Sequence, residues 1–113
     1  MSVIPAVYNL QTHYKGSSFL PLRIKLNFDI TGAEIICQIK KDVDTPPVYE
    51  WITGTNITII DALTGEFILN QINVFNPEPC RYIYDLQVTL ANGTCQTYLK
   101  GKIKVVQDIT VEV

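Results

Sequence analysis

Apolar and polar positions alternate along much of this chain. Leu20, Leu22, Ile24, Leu26 and Phe28 are separated by Pro21, Arg23, Lys25 and Asn27. This is the period-two pattern of a half-buried strand, predicted here over Phe19 to Phe28. Ala33 to Lys40 repeats it, with Ile35, Cys37 and Ile39 on one face and Glu34, Gln38 and Lys40 on the other. Val48 to Ile52, Ile57 to Ile60 and Glu66 to Ile72 read as further strands. Turns fall at Gly54-Thr55-Asn56 and at Asp61-Ala62-Leu63-Thr64-Gly65, where Gly65 is expected at positive φ. Arg81 to Leu90 turns Tyr82, Tyr84, Leu86, Val88 and Leu90 inward, and Asn92-Gly93 folds the chain back into Cys95 to Val106. Asn-Gly is a strong short hairpin signal. Gly101 within the returning strand suggests a bulge or a close backbone approach.

The breaks are equally regular. Tandem Pro46-Pro47 makes Lys41 to Pro47 a loop, and Pro77 and Pro79 make Asn73 to Cys80 a crossing between strands. Val3 to Tyr14 is extended, and Pro5 suits an edge strand or a free arm, so residues 1–13 are assigned that role. No helix of ordinary length fits. About seven or eight short strands, with turns at roughly eight- to twelve-residue spacing, predict an all-β chain. Its expected architecture is one immunoglobulin-like antiparallel β-sandwich domain over residues 1–113. A small barrel is the alternative.

Composition narrows the function classes. With 47% hydrophobic and 18% charged residues, the 113-residue chain has the makings of a folded core. A net charge of −2 argues against a general grip on nucleic acid. No apolar run approaches the roughly 20 residues of a membrane span. Met1 to Leu10 lacks the basic start and apolar run of a signal peptide, so export by the general route is not expected. Cys37, Cys80 and Cys95 are an odd count without C-x-x-C, which suits a reducing cytosol better than a disulfide framework.

Candidate chemistry is sparse. His13, the only histidine, has no marked nucleophile or orienting carboxylate and reads as a surface residue before a turn. Cys37 reads as a small buried hydrophobe, and Cys80 and Cys95 flank the last hairpin. Asp42, Asp44 and Asp61 fall short of the oxygens calcium needs. Phosphate-loop, esterase and zincin motifs are missing. No catalytic, cofactor or metal residue is assigned, and the chain is not expected to be an enzyme. Asn56-Ile57-Thr58 and Asn92-Gly93-Thr94 are formal glycosylation triplets with no secretory signal to give them meaning.

Two surfaces are candidates for contact. Lys100, Lys102 and Lys104 share one face of the last strand, as Arg23 and Lys25 do earlier. They form either a positive stripe for an acidic partner or anionic glycan, or protection of an exposed sheet edge. Tyr49 and Trp51 share a face of a short strand beside the proline loop, where they are either a stacking platform or core.

Three pieces of sequence carry a resemblance. They are Gly32-Ala33-Glu34-Ile35-Ile36-Cys37-Gln38-Ile39-Lys40, Gly54 through Phe67, and Tyr82-Ile83-Tyr84-Asp85 through Thr94. The close in Leu99-Lys100-Gly101-Lys102-Ile103 and Asp108-Ile109-Thr110 extends the match. Together, over about residues 14–110, the chain resembles the small immunoglobulin-like virion proteins of tailed bacteriophages and prophages. Those relatives occur as baseplate or tail-fibre N-terminal domains and as capsid accessory proteins. The resemblance implies a structural role in the virion, synthesis in the bacterial cytoplasm and no catalysis. The implied partners are other virion proteins of capsid, neck, tail or fibre, with homo-oligomer or lattice contacts. A carbohydrate-binding module built on Tyr49 and Trp51, attaching virions to glycans, is the alternative. Neither reading involves a cofactor, a nucleic acid or a membrane. The arm Met1 to Gln11, the tail Ile109 to Val113 and the region Lys41 to Trp51 are the expected contact segments.

Overall fold

A computed structural model describes residues 6–7 and 9–107 of the chain. Met1 to Pro5 and Tyr8 of the expected arm, and the tail Ile109 to Val113, lie outside the described residues. The strand segments are β1 (Ala6–Val7), β2 (His13–Tyr14), β3 (Leu22–Lys25), β4 (Glu34–Lys40), β5 (Pro47–Ile52), β6 (Ile57–Asp61), β7 (Glu66–Leu69), β8 (Arg81–Thr89) and β9 (Cys95–Val106). They make two sheets. One has the order β1-β9-β8-β4-β5, with β2 also on β9, and the other is β3-β7-β6. The chain starts β3 in the short sheet and builds β4 and β5 in the long one. It returns for β6 and β7, then ends on β8 and β9. This is the strand order of an immunoglobulin-like sandwich, as expected. β1 and β2 lie in succession along β9, so the segments amount to eight strands.

One pairing departs from the antiparallel expectation. β1 and β2 run parallel to β9, with Ala6 opposite Leu99 and His13 opposite Val105. The register slips by one residue between these points, and Asn9 bridges the slip. Its Oδ1 accepts the Lys102 N–H at 3.1 Å while the Leu10 N–H donates to the Lys102 carbonyl at 2.9 Å. The described part of the expected arm is therefore an edge strand sealed onto β9, and β9 lies inside its sheet.

The inward positions form a single core. Ile35, Cys37 and Ile39 of β4, the alternate residues Tyr82 to Val88 of β8, and Ile103 and Val105 of β9 meet Phe67 and Leu69 of β7. At the corner leading into β8, the Tyr82 hydroxyl donates to the Glu78 carbonyl at 2.7 Å. Such a tyrosine corner fastens the inter-sheet crossing of immunoglobulin-like domains.

Two elements differ from the alternation. The strand expected over Phe19 to Phe28 is regular only at Leu22–Lys25. Pro21 has no N–H for the ladder, and Asn27 takes a φ of 65°. Phe19 instead makes an isolated bridge to Ile72, and Leu20 stays largely in solvent. The bulge expected at Gly101 falls at Tyr98. Leu86 pairs with Leu99 and Gln87 with Thr97, whereas Gly101 pairs in register with Tyr84.

Gly65 is held by more than its φ of 74°. A Cβ there would stand 2.5 Å from the Phe28 carbonyl oxygen and 3.2 Å from the Leu26 Cβ. Gly54, with a φ of 86°, has open space at the same position. Gly65→Ala is expected to cost more than about 2 kcal/mol, and Gly54→Ala about 1 kcal/mol. Urea denaturation of the two variants checks the difference.

Candidate interaction face

The edge strands β5, β6 and β3 are short. Beyond β5, the Asn56 side chain occupies the place of a neighbouring strand. Its Oδ1 accepts the Ile52 N–H at 2.7 Å, and its Nδ2 donates to the Glu50 carbonyl at 3.0 Å. β6 is bridged at Ile57 by Thr53, and its register shifts between Ile59 and Asp61. On β3, Arg23 pairs with Glu66, and Arg23 and Lys25 stand exposed on the outer face. Plugs, bulges and charges of this kind deter strand addition.

The outer face of the long sheet is different. Lys100, Lys102 and Lys104 are exposed along β9, whose two sides are occupied by β8 and by the β1–β2 edge. Edge protection therefore does not account for them. The adjoining β8 positions are Asp85 opposite Lys100, Ile83 opposite Lys102 and Arg81 opposite Lys104. Lys40 of β4 lies opposite Ile83, and Gln38 opposite Asp85. Gln38 donates to the Glu50 carboxylate on β5. These rows form a hollow of about 470 Å³ with Ile83 and the Gly101 backbone in its lining, bounded by Asn9, Val43, Lys40 and Lys102. Among the described residues the ion pair that forms is Arg23–Glu66, on the opposite sheet. Among the described residues the lysines of the hollow and Asp85 have no such partner.

The aromatic platform is corrected by the structure. Trp51 is 1% exposed, and its Nε1 donates to the Asn70 carbonyl at 3.0 Å. Its ring packs against Phe19 at 5.5 Å. Tyr49 is half-buried and meets Trp51 edge-on, at 4.8 Å and 67°. Trp51 therefore belongs to the core and offers no surface. Tyr49 lines a second hollow with Val48, Val74 and Pro77, while most of Lys41 to Val48 is exposed.

His13 is also corrected. It is 7% exposed rather than a surface residue. Its Nε2 lies 2.7 Å from the Phe75 carbonyl oxygen, and its ring sits between Phe19 and Phe75. That bond spans 62 positions and fastens the first edge strand to the crossing before β8. The acidic residues serve turns. Asp42 accepts the Val43 N–H and Asp61 the Leu63 N–H. Asp29 accepts both the Thr31 hydroxyl and N–H, which hold its carboxyl below the usual range. Among the described residues no three His, Cys, Asp or Glu side chains stand together as a metal site would need.

Cys37 is buried as expected, Cys80 is half-buried and Cys95 is exposed. Burial, assisted by the Asp85 carboxylate, pushes the Cys37 thiol up to about 12. The folded state thus holds this proton more tightly than the unfolded chain, where the ordinary value is 9.0. Its contribution to stability is full below pH 9.0 and is lost as pH rises towards about 12. The loss at the top of that window is roughly 4 kcal/mol. Denaturation midpoints are expected to decline above pH 9.0, and less steeply in Cys37→Ala. At pH near 8, a thiol reagent is expected to label Cys95 in the native protein and Cys37 only on unfolding.

No family model and no curated protein matches the chain.

Proposed function

We propose that this chain is a non-catalytic structural subunit of a bacteriophage virion that works by protein–protein contact. Its working surface is the outer face of the β9-β8-β4-β5 sheet. The observation that carries this reading is the stripe of Lys100, Lys102 and Lys104 on a strand with neighbours on both sides. Charges placed there have no edge to protect, and Lys100 and Lys102 line a concave surface together with Lys40 of β4. The sequence resemblance to small phage sandwich proteins supports the virion setting, either as a head accessory or as a tail or baseplate subunit. Synthesis in the host cytoplasm accords with three unpaired cysteines. Against the glycan alternative stands Trp51, whose ring is enclosed and so unavailable for stacking on a sugar.

Immunogold labelling of intact virions, with mass spectrometry of the purified particles, tests the proposal. Label over the head identifies a capsid component, and label at the tail identifies a tail or baseplate component. Absence of the chain from purified particles would refute the virion assignment.

A further inference from the structure

We infer that the hollow over Ile83 is a docking site for an extended protein segment bearing carboxylates at alternate positions. The inference rests on the contact-protein reading above and adds the chemistry of the bound partner. Four observations converge on it.

The first is charge. Lys40, Arg81, Lys100, Lys102 and Lys104 put five of the nine cationic residues on one sheet face. The same face carries Asp85, Glu50 and Glu34. Among the described residues, the rest of the molecule carries Lys15, Arg23, Lys25 and Lys41 against Asp29, Asp42, Asp44, Asp61, Glu66 and Glu78, and so is the acidic part. The molecule is polarised, and its basic face is complementary to an acidic partner.

The second is spacing. Side chains on one face of a strand repeat at about 6.6–6.8 Å. Carboxylates at alternate positions of an extended segment have the same repeat. A segment lying along β9 can thus set one carboxylate near each of Lys100, Lys102 and Lys104.

The third is shape. About 470 Å³ accommodates a few side chains rather than the convex surface of a folded domain. Ile83 in the lining and the exposed Val43 at the rim supply apolar contact for short aliphatic stems.

The fourth is Asp85. Among the described residues it makes no ion pair, although it sits between Lys100 and Gln38 across the strands. A uniform polyanion such as nucleic acid or a sulfated glycan would be repelled there. A peptide can meet it with a backbone N–H or a hydroxyl.

The test uses a capped heptapeptide in which glutamate alternates with valine and a central threonine. It is titrated into the ¹⁵N-labelled full chain at low salt. Shift changes are expected at Lys40, Ile83, Asp85, Lys100 and Lys102. The Lys100→Gln/Lys102→Gln variant is expected to bind about tenfold more weakly, since two exposed charge contacts together supply about 1.4 kcal/mol. Equal binding of the peptide with every glutamate changed to glutamine would overturn the inference. So would shifts confined to another surface, tighter binding of a heparin oligosaccharide, or self-association of the free chain through this face. A chain found in virions that ignores the peptide defeats this inference alone. A chain that binds the peptide and is absent from virions defeats only the virion assignment.

Discussion

Trp51→Ala is expected to lower the unfolding free energy by about 3–5 kcal/mol. The indole is fully enclosed, touches Phe19 and Tyr49, and donates to the Asn70 carbonyl. Truncation leaves a large cavity on β5 and an unpaired carbonyl from the chain that leaves β7. Domains of this size have only about 5–15 kcal/mol in total. The variant should therefore unfold at markedly lower denaturant than the parent. Trp51→Phe keeps most of the ring and loses only the donor, at a cost of about 1–2 kcal/mol. Guanidinium unfolding followed by far-ultraviolet circular dichroism separates the two. A stability loss below about 1 kcal/mol in Trp51→Ala would mean that the ring is not enclosed and would reopen the platform reading.

The second large effect is on assembly rather than stability. Lys100→Glu/Lys102→Glu/Lys104→Glu is expected to fold normally, within about 1 kcal/mol of the parent, because all three side chains are solvent-exposed. The new carboxylate at position 100 opposes Asp85, while that at position 104 gains Arg81. If the chain is the virion subunit proposed above, its incorporation into virions should nonetheless fall at least about tenfold, as like charges replace complementary ones across the proposed contact. The matched control, Lys15→Glu/Arg23→Glu/Lys25→Glu, makes the same change of net charge elsewhere and should leave incorporation unchanged. Quantitative mass spectrometry of purified particles gives both numbers. Equal losses in the two variants would assign the effect to net charge and not to this face.

Much of the fold was legible in the chain. Alternation placed Ile35, Cys37 and Ile39 inward, set Tyr82, Tyr84, Leu86 and Val88 against them, and located the Asn92-Gly93 hairpin. These features depend on neighbours within a few residues. What escaped depends on partners far apart in sequence. Whether Lys100 to Lys104 lie on an edge or an interior strand is decided by Asn9 and Leu10, which bond to Lys102. Period-two parity gave Tyr49 and Trp51 one face, but the ring that is enclosed depends on Phe19 and Asn70, contributed by other segments.

His13 escapes the sequence for a related reason. A lone polar residue reads as surface until its acceptor is known, and the Phe75 carbonyl lies in a distant loop. Asn56 lies in a turn as expected, and its carboxamide also satisfies the backbone of β5, which no local pattern shows. The Tyr82 corner did leave a sequence signal: a tyrosine one residue into a strand, just after the proline-rich crossing.

The most direct test of the contact face is lysine acetylation footprinting of the chain inside intact virions and free in solution. Lys100, Lys102 and Lys104 should be strongly protected in the particle, while Lys15 and Lys25 react alike in both states. Equal reactivity of the β9 lysines in particle and solution would contradict the assignment of the outer sheet face as the contact surface.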